Sequence, residues 1–455
     1  MADETATLAA YVANLKFDDI PQEVLTRAKT LTLDFLGSAI RARKESESTP
    51  SIVKMVEALS LDGKGDSTVF GDTRTWTPAV AALLNGAMGH SLDFDDTHAD
   101  SSLHPSAPVV PAAFAVGEMM GSSGREVLTA IVAGYEVCCR LGNALDPTSH
   151  YARGFHPTAT AGTYGAAAAA AKLFGLSKEQ IVSAFGVSGS QAAGSLQFLV
   201  NGAWNKRYQV GAAAMNGVIA ATLARHDFLG SSESVEGKHG LLVGYSDDAH
   251  PEKAVADLGS VYETMKIGVK PYPSCRYTHA AIDALIAMRR EHNLTPDQVR
   301  RVEIGLHRNG ITLTGDEATK RRPSSIVGGQ FSMFFTGALA LDQGRFGWDD
   351  YARLGDDAIN ALADKFDVVQ DDRLEGRPHP FGARVSIETD DGIHERIYHD
   401  PSGEPGSFPD ALAMQQKFLL LARPVLDKRA DTFADAIMAL ETFDRVSTAT
   451  MMGRQ

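Results

Sequence analysis

Cysteine is scarce: three in 455 residues, at positions 138, 139 and 275. They form neither a metal-ligand spacing nor a disulfide framework, so a disulfide-stapled or zinc-ribbon architecture is excluded. The adjacent Cys138 and Cys139 lie in an apolar helical pattern and read as small core residues. Long apolar runs are also missing, since none reaches the roughly 18 to 20 residues that cross a bilayer. Positive charge is in deficit. The formal net charge of −14 disfavours nucleic acid or an anionic membrane as partner. There is no Gly-x4-Gly-Lys-Ser/Thr loop, and Gly186-Val187-Ser188-Gly189-Ser190-Gln191 lacks the dinucleotide spacing, so no nucleotide cofactor is expected. No Gly-x-Ser-x-Gly elbow points to a hydrolase. No internal repeat or low-complexity linker occurs. The opening Met1-Ala2-Asp3-Glu4-Thr5 has neither the basic nor the apolar region of a secretory leader, which makes a cytoplasmic, reducing setting the expectation.

A chain of this length exceeds what one compact core holds, so two domains are expected. The first 260 or so residues read as helix. Pro21 opens a run with Val24, Leu25, Ala28, Leu31 and Phe35 at helical spacing. Ser177 to Gln180 is a capping box, and Gly124 to Gly142 and Gly211 to His226 are further helices. Ala79 to Met88 and Ala161 to Ala171 are small-residue helices that can approach closely. After about residue 265 the pattern alternates. Val302 to His307 and Ala383 to Glu388 read as strands, with Asp391-Gly392 turning into Ile393 to Ile397. Helices are expected over 278–290, 357–366, from Pro409 onward and over 432–443. The predicted organisation is a helical domain over 1–265, an α/β domain over 266–400 and a helical return over 401–455. The fold class is therefore mainly α with an α+β second domain.

The chemistry-bearing residues are concentrated. Asp93-Phe94-Asp95-Asp96-Thr97-His98, with Asp100 and then His104-Pro105-Ser106, puts four carboxylates and two imidazoles within about a dozen residues. Such groups perturb one another's proton affinity in ways that suit acid/base work. The alternatives are aspartates capping helix ends and a metal site, since Asp95-Asp96-Thr97-His98-Ala99-Asp100 is a near miss to a diphosphate-binding aspartate motif. A second His-Pro pair, His156-Pro157, precedes another small-residue helix, whose dipole favours a neutral imidazole. Thr158 and Thr160 compete as caps. Lys206 and Arg207 read as a loop pair able to hold a carboxylate. Lys270-Pro271-Tyr272-Pro273-Ser274-Cys275-Arg276 forms a second basic knot, in which Ser274 and Thr278 are candidate caps. Cys275 has no partner pattern of a cysteine nucleophile.

Gly89-His90-Ser91-Leu92-Asp93-Phe94-Asp95-Asp96-Thr97, His104-Pro105-Ser106, Gly154-Phe155-His156-Pro157-Thr158, Lys206 ahead of Gly211-Ala212, and Lys270-Pro271-Tyr272-Pro273 together resemble the MmgE/PrpD family. That family includes 2-methylcitrate dehydratase, cis-aconitate decarboxylase and iminodisuccinate epimerase. The resemblance runs through roughly residues 5 to 450. It implies a large helical domain, a smaller α/β lid, a homodimer, small di- or tricarboxylate substrates, and an active site in the interdomain cleft without cofactor or metal. By position, Asp93, Thr97, His104, His156, Lys206 and Lys270 match residues lining the decarboxylase pocket. Two departures stand out. One extra residue separates Thr97 from His104, and the tyrosine of the decarboxylase Phe-Ser-x-x-Tyr segment is Phe335 here.

The implied chemistry is formation or quenching of a carbanion beside a carboxylate. Lys206, Lys270 and Arg276, with Arg207, would hold carboxylates; His104 or His156 would move the proton, with Asp93 orienting an imidazole. A dehydratase-type lyase is the leading expectation and an epimerase of a substituted succinate the second. A cis-aconitate-type decarboxylase and a non-catalytic carboxylate binder complete the set.

Overall fold

The structure is a computed structural model that describes residues 3–376 and 379–455; Met1 and Ala2 of the leader reading lie outside them. The chain is mainly helical, with its principal sheet in the C-terminal half. It forms two compact units. The first comprises Met1–Ser91, Asp95–Gly268 and Pro409–Gln455; the second comprises Leu92–Phe94 and Val269–Phe408.

In the first unit, α1 (Gln22–Glu45) buries nearly its whole central length, including the Val24, Leu25, Ala28, Leu31 and Phe35 stripe. Helices α2 (Pro78–Gly89), α3 (Ser106–Met120), α4 (Gly124–Ala144), α5 (Pro157–Leu173) and α6 (Asn205–Arg225) pack around one another. Small residues set their spacing. A Cβ on Gly211 of α6 would lie 2.3 Å from the Leu83 carbonyl of α2, and one on Gly217 would lie 2.5 Å from Ala166 of α5. These helices therefore meet nearly backbone to backbone, and the residues at their ends are drawn together. Two-residue strands β1 (Thr97–His98) and β2 (Ile267–Gly268) pair antiparallel. The return segment supplies α7 (Ala411–Leu426), which packs on α1 with Phe418 against Gly37.

In the second unit a four-stranded sheet runs in the order β4-β3-β5-β6, with β3 Val299–Leu306, β4 Phe366–Gln370, β5 Ala383–Thr389 and β6 Gly392–Tyr398. The β3/β4 pair is parallel and the others antiparallel. Helix α8 (His279–Glu291) lies on β5 and β6, and α9 (Met333–Gln343) packs on α8 and β4.

Four local expectations change. The helix expected over 357–366 ends at Ala363, because Phe366, Val368 and Val369 carry the β-branched and aromatic character of a strand paired with β3. The hairpin turn is Asp390-Asp391, one residue early; Gly392, at φ +134°, already pairs with Thr389. The helix expected over 432–443 runs instead from Arg429 to Met438, followed by one 3₁₀ turn. Lys206 is not in a loop. Its helix starts at Asn205, and the first turn is too polar and exposed to show apolar periodicity.

Candidate active site

In the first unit, four helix ends bring three imidazoles together. His90 is the C-cap of α2, His156 is the N-cap of α5, His104 stands two residues before α3, and Lys206 and Gln209 occupy the first turns of α6. The His90 ring lies 4.9 Å from His104 and 5.9 Å from His156, centroid to centroid, nearly parallel to the latter. His90 carries no role in the sequence reading. The only linear hint is the five-residue step to Asp95.

The aspartates of the motif serve different partners. Asp95 Oδ2 lies 2.6 Å from His90 Nδ1, with both side chains fully buried. The Asp96 carboxylate accepts from the Ser106 amide and, at 2.6 Å, from its hydroxyl, which holds the start of α3. The Asp93 carboxylate belongs to the second unit. The segment's ligand-type side chains do not all converge: among the described residues, groups of three occur at His98/Asp100/Glu263, which takes two residues of the segment, and at Asp146/Asp248/His250. Asp95 and Asp96 of the diphosphate-like segment lie outside that group. His98 is accounted for structurally, with Nδ1 on Ser101 and Nε2 on Glu263. A bridge between His98 and Leu103 closes the following turn, so the longer Thr97–His104 spacing still returns His104 to Asp96.

The neighbours of His104 and His156 give these rings opposite tautomers. His104 Nδ1 is 2.6 Å from the Asp96 carbonyl. A carbonyl only accepts, so Nδ1 carries the proton and neutral His104 presents a basic Nε2. Thr97 Oγ1 is a longer 3.4 Å from the same nitrogen, and the His104 amide donates to Thr158 Oγ1. His156 is the reverse. Its Nδ1 accepts from the Gln209 side-chain amide at 2.8 Å, so the proton sits on Nε2 and His156 presents a donor. Thr158 and Thr160 are thus not caps: Thr160 Oγ1 is taken by His150 and the His156 carbonyl.

Burial above all lowers the proton affinity of His156 well below the usual imidazole range, and the neighbouring His90 and then Lys206 lower it further. Lys206 is half-buried close by. Asp96 is driven well above the carboxylate range, first by complete burial and then by Asp95. The unfolded chain protonates His156 below about pH 6.5 whereas the folded one does not. Folding stability contributed by this residue is therefore full at neutral pH and declines as pH falls below that value. Gln209→Glu should reverse the bias, because a carboxylate opposite Nδ1 attracts a second proton. His156 should then titrate about one unit or more higher, read from its Cε1–H resonance against pH.

Arg207, one residue on from Lys206, runs to Ser48 Oγ at 3.2 Å and is buried there.

In the second unit, Lys270 and Asp93 are together. Lys270 Nζ is 3.0 Å from Asp93 Oδ1 and 3.1 Å from its carbonyl, with Lys270 only 2% exposed. Asp93 sits at φ +52°, a conformation that aspartate tolerates better than most residues. Arg276 is engaged by Glu404 through Nε and Nη2 at 3.0 and 2.5 Å, a buried partner within the protein. Its Nη1 donates to His279 Nδ1, while His279 Nε2–H donates to the Ser274 carbonyl. Burial and the Arg276 charge keep His279 neutral, its proton affinity far below normal. Ser274 and Thr278 bond each other and neither side chain caps α8, contrary to expectation. Phe335 is buried beside Tyr351, with centroids 5.9 Å apart, and the Tyr351 hydroxyl donates to the Pro273 carbonyl.

Residues 6–254 match the MmgE/PrpD N-terminal domain, and residues 272–442 match the MmgE/PrpD C-terminal domain. The chain belongs to the MmgE/PrpD family. Relatives of this MmgE/PrpD protein include the cis-aconitate decarboxylase-like protein oryM of Aspergillus oryzae, 31% identical over 468 residues that cover 97% of this chain and 95% of that one. A cis-aconitate decarboxylase of Aspergillus terreus is 28% identical over 97% of this chain and 94% of its own. The human cis-aconitate decarboxylase is 30% identical over 66% of this chain and 63% of its own. No helix among the described residues is long and apolar enough to cross a membrane.

Proposed function

We propose that this protein is a cofactor-independent lyase that forms and quenches a carbanion beside a carboxylate on a small di- or tricarboxylate. The observation that supports it most is the opposite hydrogen bonding of the two Nδ1 atoms, on a carbonyl at His104 and on a side-chain amide at His156. His104 Nε2 takes the weakly acidic proton, and His156 Nε2–H donates to the group that leaves or to charge developing on the substrate. Once His104 holds the proton taken from carbon it can return it to the departing hydroxyl, which leaves as water while His156 Nε2–H stabilises the developing charge, so a hydro-lyase of the 2-methylcitrate dehydratase type is the first reading. Lys206 supplies charge to a carboxylate, and Thr97 a hydroxyl beside His104.

Decarboxylation of a cis-aconitate-like substrate is the second reading, favoured by the names of the relatives; Phe335 in place of a tyrosine hydroxyl weighs against it. Proton NMR after incubation with citrate-like, aconitate-like and substituted-succinate candidates tests the assignment. New alkene or hydrated product supports the first reading, and loss of carbon dioxide the second. Stereochemical scrambling without alkene would instead make the protein an epimerase.

Lys270 is assigned to carboxylate capture. Lys270→Ala should raise KM by about tenfold or more while leaving kcat closer to normal, since a charged hydrogen bond of roughly 1.5–3 kcal/mol is lost. An unchanged KM removes it from the site. A homodimer fits the exposed Leu199, Val200, Trp204 and Tyr208 on the approach to and first turn of α6. Three buried cysteines outside any disulfide fit a reducing, cytoplasmic setting.

A further inference from the structure

The reaction described above uses two of the three clustered imidazoles, leaving His90 and its buried carboxylate unexplained. Their position is informative. His90 is the C-cap of α2, its amide bonded to the Gly86 carbonyl, so its ring sits at the negative end of that helix's dipole. Asp95 Oδ2 is 2.6 Å from Nδ1, and neither side chain is exposed. Both features favour a cation at His90. His104 and His156 instead stand before the starts of α3 and α5, where the dipole disfavours one. With the His104 and His156 rings 4.9 and 5.9 Å from His90, the three cannot all be charged without repulsion across His90. The helix ends therefore select which ring holds the charge.

We propose that His90, paired with Asp95, is the resident imidazolium of the cluster and acts as a positioning residue that keeps His104 and His156 neutral. The proposal rests on the proton-transfer reading of His104 and His156, but its test does not. Among the groups bearing on the cluster are Asp95, Asp96, Lys206 and His150, and beyond Asp96 the buried Tyr135 and Asp34. Asp96 is largely spent on the start of α3, and Lys206 and His150 add positive character that opposes a further charge on His156. The charge at His90 is thus balanced chiefly by Asp95.

The test is the ¹⁵N spectrum of histidine side chains in the wild-type protein without substrate, followed by His90→Gln/Asp95→Asn. At neutral pH His90 should show both ring nitrogens protonated, whereas His104 and His156 each show one. A neutral His90 in the wild type overturns the proposal without any variant. In the double variant, which keeps a hydrogen-bonded neutral pair, the His156 titration midpoint should rise by about half a unit or more. The acid limb of kcat/KM should rise with it. A packing role alone would leave that midpoint in place, and this result also overturns the proposal. Asp95→Asn alone, with His90 becoming neutral at pH 7, is the variant to use where the double one folds poorly. These spectra are read without turnover, so the failure of every carboxylate as substrate would discredit the lyase reading and leave this result standing.

Discussion

His156→Ala is expected to lower turnover by about 10²- to 10⁴-fold, the range for losing a positioned proton-transfer group. The ring is 3% exposed, its amide is bonded to the Gly194 carbonyl, and its Nδ1 is fixed by Gln209, so the direction of Nε2–H is set. The loss should fall mainly on kcat, because the donor interaction strengthens as charge develops in the transition state. His156→Gln is the control: it retains an N–H donor but cannot exchange the proton, and it should recover stability more than rate. Near-normal turnover for His156→Ala, measured on whichever carboxylate proves to be the substrate, would remove His156 from the chemistry.

Asp93→Asn is expected to destabilise the protein by about 3–5 kcal/mol, the usual cost of leaving one member of a buried ion pair without its counter-charge. Asparagine is the appropriate probe because Asp93 stands at φ +52°, which asparagine also adopts, so backbone strain does not confuse the result. Lys270, 2% exposed and 3.0 Å away, then loses the carboxylate opposite its Nζ and keeps only the backbone carbonyl of residue 93. Asp93→Asn/Lys270→Met should recover most of the loss, since exchanging a whole buried pair for neutral groups is often nearly free. Urea unfolding of the two variants measures the difference. Equal stability of Asp93→Asn and wild type would mean that the pair carries no net coupling.

The long elements were legible in the sequence because burial imposes a period on them. The Val24 to Phe35 stripe, the Ser177 capping box and the Ala/Gly runs all lie in helices with bounds close to those expected. Alternation located β3 and β5 for the same reason, and the Asp-Gly hairpin signal located β6. What escaped was polar or shared between states. The first turn of α6 is too polar for periodicity, yet it carries Lys206 and Gln209; Phe366 satisfies a helical stripe and a strand start equally. His104 and His156 stood out through their His-Pro context. Their protonation did not, because it is decided by the Asp96 carbonyl and by an amide 53 residues away from His156. His90 and Asp95 stood in the quoted motif without a role, since a five-residue step across a helix end has no signature of its own.

The central claim is that His104 Nε2 moves a proton at a carbon next to a carboxylate. Its most direct measurement is proton NMR in D₂O with a turned-over di- or tricarboxylate, comparing wild type with His104→Gln. Deuterium should enter that carbon in the wild type and at least about a hundredfold more slowly in the variant. Equal rates of deuterium entry in the two proteins would contradict the account.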